Sequence, residues 1–381
     1  MKGRTAMTEK KRTRGKPSTA FITDPQVSAK VAGLRYVTDA NPGIRRKRSG
    51  KGFTYFDVDG IQLRDPQELQ HIKSLRIPPA WTKVWICPMP HGHLQATGYD
   101  AKGRKQYRYH PRWRDVRDET KYGRMLAFGE GLPLIRQQVE HDMVLHGLPR
   151  AKVLATVLQL LEATLIRVGN EEYARANRSF GLTTLRDRHV DIAGATLRFH
   201  FRGKSGKEHT VEINDRRLAL IVKRCQEIPG QELFQYRDNE GQRRTIDSAD
   251  VNEYLCQITG QDFTSKDFRT WNGTVLAVRA LQTCGMGASA AQAKKAVVEA
   301  IKTVAAQLGN TPAICRKCYV HPAVIEAYLE GSLLEILQRL GEADPAGPVQ
   351  GLSAEEARVL AFLRQALTPE GYRVRAPACA V

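Results

Sequence analysis

The sequence has no run approaching the roughly 18 consecutive apolar residues of a membrane-spanning helix, so no helical span is expected. Its first residues lack the apolar core of a secretory signal peptide, although their basic, Ser/Thr-containing make-up also fits an organelle transit peptide. Cysteine is sparse: seven residues, at 87, 225, 256, 284, 315, 318 and 379, odd in number and irregular in spacing. A secreted disulfide framework is denser than this, so a reduced cytoplasmic protein is expected. No GxxxxGK[ST] loop occurs, which leaves nucleotide-driven chemistry without a seat, and Gly285-Met286-Gly287 resembles a phosphate loop only vaguely. Cys315 and Cys318 have zinc-knuckle spacing, but no second Cys or His pair follows to complete four ligands. Neither a metal nor another cofactor is expected. His91-Gly92-His93 reads as a turn with solvent-exposed imidazoles.

Acidic residues are also scarce. Lys and Arg number 59 against 40 Asp and Glu, a formal charge of +19 that calls for a polyanionic partner. Nucleic acid is the first candidate, because clustered cations displace counterions from a phosphate backbone. An acidic membrane surface is the rival. The apolar fraction, 41%, is ordinary for a folded protein, and 381 residues suffice for two or three domains.

Residues 1–51 hold fourteen Lys or Arg against three acids, including Lys10-Lys11-Arg12 and Arg45-Arg46-Lys47-Arg48. Residues 1–28 read as a flexible basic arm, and the later run as a DNA contact. From Phe53 the pattern becomes strand-like: Phe53-Thr54-Tyr55-Phe56-Asp57-Val58, then Asp59-Gly60 as a hairpin turn, then Ile61-Gln62-Leu63. Val84-Trp85-Ile86 and residues 105–109 add strands, so residues 29–120 read as a β-rich, DNA-binding N-terminal domain. Residues 121–340 read as a mainly helical domain. Val153, Leu154, Val157, Leu158, Leu161 and Leu165 recur at helical spacing and define a buried face. One hairpin interrupts the helices, with Leu197, Phe199 and Phe201 alternating before the turn at Gly203-Lys204-Ser205-Gly206-Lys207. An Ala-rich helix over 288–308 ends at Gly309, and Thr311-Pro312 opens a short helix carrying Tyr319. Residues 341–381 read as a linker and a last helix, opened by the capping box Ser353-Ala354-Glu355-Glu356. There is no internal repeat.

Four segments stand out together: Arg167-Val168-Gly169-Asn170-Glu171-Glu172-Tyr173-Ala174, Phe201-Arg202-Gly203-Lys204, Lys266-Asp267-Phe268-Arg269-Thr270, and Gly309-Asn310-Thr311-Pro312 running to Cys318-Tyr319. Any one of these cations alone reads as a solvated charge. In this order and spacing they resemble the catalytic boxes of type IB DNA topoisomerases, closest to the compact bacterial and poxvirus forms. Pro79-Ala80-Trp81 and the segment from Gly98-Tyr99-Asp100 to Lys105-Gln106-Tyr107 belong to the same resemblance, which spans roughly residues 30–330. It implies an α+β protein whose β-rich and helical domains form a clamp on double-stranded DNA, working as a monomer in the cytoplasm on the nucleoid.

The resemblance further implies that Tyr319 attacks the scissile phosphate and is joined to the DNA 3′ end. Arg167 and Arg269 would hold the non-bridging oxygens, Lys204 would protonate the departing 5′ oxygen, and Asn310 would donate to the phosphate. Gln106, Tyr107 and Tyr109 match a DNA-touching strand. The chemistry asks for such residues. A phenol is almost wholly protonated at neutral pH, and neighbouring cations favour the phenolate and the charge building on phosphorus. Arg offers a planar fork that stays charged, and an alkoxide leaving group requires a proton donor. The covalent bond conserves the phosphodiester's free energy, so resealing needs no ATP. Many relatives have His where this chain has Asn310, and Asn carries neither charge nor a labile proton. A tyrosine recombinase shares the Arg, Lys, Arg and Tyr scheme, but usually has His where this chain has Lys266 and a helical N-terminal domain. An architectural DNA binder would explain the charge without the ordered boxes.

Overall fold

The computed structural model describes residues 25–50, 52–101, 103–238, 240–342 and 350–367. The chain divides into two units, Met1–Lys121 and Tyr122–Val381. Nearly all of the basic arm assigned to residues 1–28, and most of the linker before Ser353, lie outside the described residues. The last four residues assigned to that arm instead begin helix α1 (Pro25–Val31).

The first unit is built on an antiparallel sheet of β1 (Ile44–Ser49), β2 (Gly52–Phe56), β3 (Thr82–Ile86), β4 (Leu94–Tyr99) and β5 (Lys105–Tyr109). Their spatial order is β2-β1-β3-β4-β5. The basic run is itself a strand, with Arg46 opposite Tyr55 and Arg48 opposite Phe53. A strand of consecutive cations holds because Arg46 turns inward. It donates to the carbonyls of Pro78 (3.1 Å) and Trp81 (2.7 Å) and lies 4.1 Å over the Phe53 ring. The tight hairpin therefore falls at Gly50, where φ is +56°, rather than at Asp59-Gly60. The Asp59-Gly60 turn closes onto one isolated bridge, Phe56 to Gln62, and no strand continues beyond it. Helix α2 (Pro66–Ser74) is capped by Asp65, whose carboxylate accepts from the Gln67 and Glu68 amides. The exposed-turn reading of His93 is wrong. This residue is 4% exposed, stacks on Tyr36 at 4.4 Å, and accepts from the Val37 amide through Nδ1.

Helix α3 (Pro111–Met143) leads into the second unit. Its remaining helices are α4 (Arg150–Thr164), α5 (Glu171–Asn177), α6 (Arg216–Gln226), α7 (Ser248–Thr259), α8 (Ser265–Cys284), α9 (Ala290–Gln307), α10 (Pro312–Cys318), α11 (Pro322–Leu329), α12 (Leu333–Glu342) and α13 (Ala354–Ala366). Between α5 and α6 lies a meander of β6 (Val190–Ala193), β7 (Thr196–Arg202) and β8 (Glu208–Asn214). The small hairpin of β9 (Gln235–Arg237) and β10 (Arg243–Thr245) follows α6. The alternation of Leu197, Phe199 and Phe201 buries one face of β7 on the core.

Helix α4 buries more than a stripe. Ala155, Thr156 and Leu160 are covered as fully as Val153, Val157 and Leu161, so it runs through the middle of the unit. Leu165, half-buried against the same core, closes the helix in the left-handed region, at φ 56°. Helix α13 packs through Val359, Leu360, Phe362 and Leu363, and Ser353 caps it as its sequence foretells. Its Glu356 pairs with Arg136 at 2.7 Å and accepts from the Trp271 indole at 3.3 Å. Among the described residues no helix is long and apolar enough to cross a membrane. The whole is an α+β protein, with a small β-rich unit and a larger helical one.

Candidate active site

Helix α8 positions the centre of the site. Thr264 and Asp267 form a capping box at its start, so the helix is fixed where Arg269 leaves it. Arg269 is only 4% exposed, and an arginine buried this deeply must find acceptors. It donates to the Leu165 carbonyl through Nη1 and to the Leu308 carbonyl through Nη2, the latter at 2.7 Å. One guanidinium thus joins the end of α4 to the end of α9. Its Nε is buried with no hydrogen-bond partner among the described residues. Leu165 holds its carbonyl in place from a left-handed backbone, a strain of about 1–2 kcal/mol for a residue with a Cβ.

Tyr319 reaches the same place from α10. Thr311 caps that helix by accepting from the Ile314 amide, Pro312 is its first residue, and Tyr319 closes it, just beyond the last helical residue Cys318. The Tyr319 ring lies 5.3 Å from the Arg269 guanidinium carbon. Gly273 makes the approach feasible. It follows Arg269 by four residues on the same face of α8, and a Cβ there would meet Tyr319 Cβ and its carbonyl at 3.0 Å. Glycine inside a helix costs about 1 kcal/mol relative to alanine, and here the close approach accounts for it. Thr274 fixes the other side, its hydroxyl 3.2 Å from the Tyr319 carbonyl while accepting from the His321 amide at 3.1 Å.

Arg167 and Asn310 are bound to each other, two residues beyond the carbonyls that Arg269 holds. Arg167 donates through Nη2 to Asn310 Oδ1. A guanidinium has no acceptor, so the amide oxygen must face it and Nδ2 must face away. That Nδ2 is buried with no partner among the described residues. The Arg167 segment is set by Gly181, whose backbone passes so close that a Cβ there would stand 2.5 Å from the Arg167 carbonyl. Burial, then repulsion from Arg269, pushes the Arg167 guanidinium below its ordinary range, and burial does the same to Arg269.

Lys204 is held differently. It stands exposed in the β7–β8 turn, beside Ser205 at φ 64° and Gly206 at φ 74°, and makes no ion pair among the described residues. It lines a cleft together with Arg167, His209 and Leu308. The structure therefore gathers Arg167, Arg269, Asn310 and Tyr319 directly, with Lys204 on the rim.

In the first unit the candidate DNA contacts separate. Arg45, Lys47 and Arg48 are exposed, whereas Arg46 is committed to its own unit. Tyr107 is 47% exposed and stacks on Tyr109 at 6.0 Å, while Tyr109 packs inward against Trp113 and Leu94. Gln106 donates to Asp100 at 3.0 Å.

Comparison with known proteins bears on this arrangement. The family described as "Eukaryotic DNA topoisomerase I, catalytic core" matches residues 110–338, and "Bacterial DNA topoisomerase IB, N-terminal domain" matches residues 52–100. The chain belongs to the type IB DNA topoisomerases. The DNA topoisomerase 1B of Acanthamoeba polyphaga mimivirus is 33% identical over 293 residues, covering 75% of this chain and 87% of the relative. That of Vaccinia virus (strain Copenhagen) is 23% identical over 280 residues, covering 71% and 84%. Membership sets the recombinase and architectural readings aside. All four boxes of the topoisomerase fall inside the catalytic-core match and inside its second unit, whereas helix α13 lies beyond that match.

Three residues that shape this candidate site escape a sequence reading: Gly273, Thr274 and His209. Gly273 carries a weak signal, a glycine in a helix spaced four residues from a candidate arginine. Thr274 and His209 carry none, since their roles depend on chain segments 45 or more residues away or on a turn across a hairpin.

Proposed function

We propose that this topoisomerase relaxes supercoiled DNA by cutting one strand through Tyr319, letting it swivel about its partner, and resealing it. Tyr319 gives up its phenolic proton to solvent and its Oη attacks phosphorus; the bond to the 5′ oxygen breaks, and Lys204 delivers the proton that this oxygen needs and takes it back on resealing. The phosphate stays on Tyr319 as a 3′ ester until the 5′ hydroxyl returns. Arg167 and Arg269 neutralise charge on the non-bridging oxygens, and Asn310 Nδ2 donates to one of them. Asn310 does this without charge. Its oxygen is held by Arg167, so its one free function is to donate, which suits a phosphate and asks for no proton transfer. Both units contact the duplex, the first through Arg45, Lys47, Arg48 and Tyr107, and a monomer closing as a clamp is sufficient. With two Arg and a Lys supplying positive charge, neither ATP nor a metal is required.

The observation that carries this reading is the buried Arg269 fork, which ties the Arg167 and Asn310 segments together while lying on the Tyr319 ring. The test is relaxation of negatively and positively supercoiled plasmid with EDTA and without ATP. The wild-type chain should relax both; failure on either, or a requirement for ATP, would overturn the reading.

A further inference from the structure

His209, on β8, stands at the junction of two catalytic turns. On one side is Gly203, the residue before Lys204. On the other is Gly309, the residue before Asn310. A Cβ at Gly203 would meet His209 Cδ2 at 2.5 Å, and one at Gly309 would meet His209 Cε1 at 2.7 Å. Gly203 has φ −97° and ψ −162°, extended backbone that any residue adopts, so only the approach of the ring explains glycine there. Gly309, at φ +60°, has both reasons. Phe201 backs the imidazole in a stack at 5.3 Å and 13°, on the same hairpin. The ring thus fills the gap between the hairpin that carries Lys204 and the turn that carries Asn310.

We propose that His209 is a positioning residue whose ring keys the Lys204 turn to the Gly309–Asn310 turn, so that the proton donor is held in register with the phosphate site. The inference rests on Lys204 being the proton donor proposed above. Burial, followed by Arg167, Arg269 and Lys207, holds the imidazolium below its ordinary range, in keeping with a neutral ring acting by shape rather than charge. Lys204 needs such a key because its own turn is exposed and its ammonium has no ion-pair partner among the described residues.

The test compares cleavage of a duplex with an ordinary 5′-bridging oxygen and one with a 5′-bridging sulfur, whose thiolate leaves without a proton. On oxygen, His209→Ala should slow cleavage about 10²-fold, the scale of a misplaced catalytic group, while DNA affinity is kept. On sulfur it should cleave at the wild-type rate. His209→Phe, which keeps the ring and its stack, should behave as wild type on both substrates. Gly203→Ala, which drives a Cβ into the ring, should copy His209→Ala, including rescue by sulfur, and stands in for it if the alanine variant does not fold. A defect that persists on sulfur, no defect on oxygen, or a His209→Phe as impaired as His209→Ala would each overturn the inference. Lys204→Ala run beside them separates the two claims. If sulfur fails to rescue Lys204→Ala, the proton-donor reading falls; if it rescues Lys204→Ala but not His209→Ala, only the positioning role falls.

Discussion

Arg269 and Lys204 bring the same charge to one site from opposite surroundings. Arg269 leaves a twenty-residue helix, is buried, and binds two backbone carbonyls from distant segments. Lys204 sits on a turn, exposed, with no ion pair among the described residues. In the function proposed, the buried cation serves the fold as well as the chemistry, and the exposed one serves the chemistry alone. Activity and stability should therefore part company in one case and move together in the other.

The largest effect is expected at the proposed nucleophile, which attacks the phosphate that both cations would serve. Tyr319→Phe should lower relaxation by at least about 10⁴-fold, the scale of losing a covalent nucleophile, with DNA binding retained in a gel-shift assay. Arg269→Ala should cost about 10²–10³-fold in cleavage, as for loss of a buried oxyanion donor. It should also lower unfolding free energy by about 1–3 kcal/mol for each carbonyl left buried and unpaired, read from denaturant melts. Arg269→Lys should not recover the stability, because an ammonium cannot span both carbonyls. Lys204→Ala should slow cleavage by about 10²–10³-fold as a lost general acid. Its unfolding free energy should stay within about 0.5 kcal/mol of wild type, as for exposed sites elsewhere. If Lys204→Ala unfolds as readily as Arg269→Ala, the contrast between the two cations is wrong. Asn310→Ala should be milder, about tenfold in cleavage, the equivalent of one ordinary hydrogen bond.

The smallest effect belongs to the other unit. Lys47→Ala or Arg48→Ala should leave the cleavage rate of bound DNA unchanged and reduce the salt slope of binding by about one for each phosphate left without its cation. The same substitution at Arg46 should instead destabilise its own unit, because its guanidinium braces Pro78 and Trp81.

What the sequence made legible follows the range of the interactions involved. The caps at Thr311-Pro312 and Ser353 were readable because donor and acceptor lie within one turn. The Leu197, Phe199 and Phe201 alternation was readable for the same local reason. Strand β1 was not, since four cations carry no apolar period and the strand depends on Arg46 reaching residues more than thirty positions away. Strand β4 hid likewise behind Gln95 and Thr97, polar residues that are buried because His71, the Gly92 carbonyl and Asp39 satisfy them. His93 looked like a turn residue because its ring partners, Tyr36 stacked on it and Trp113 edge-on, are distant in sequence. In the site, the ordered boxes named Arg167, Lys204, Arg269, Asn310 and Tyr319 as a set. Burial of Arg269, the amide orientation of Asn310 and the wedge at His209 were invisible, because each joins segments far apart in the chain or across a hairpin.

The most direct measurement traps the covalent complex on a duplex whose cut strand cannot be resealed, then digests it and identifies the modified peptide. A single adduct is expected, DNA joined through its 3′ phosphate to Tyr319, and none with Tyr319→Phe. An adduct on another residue, a 5′ linkage, or an adduct that survives in Tyr319→Phe would contradict it.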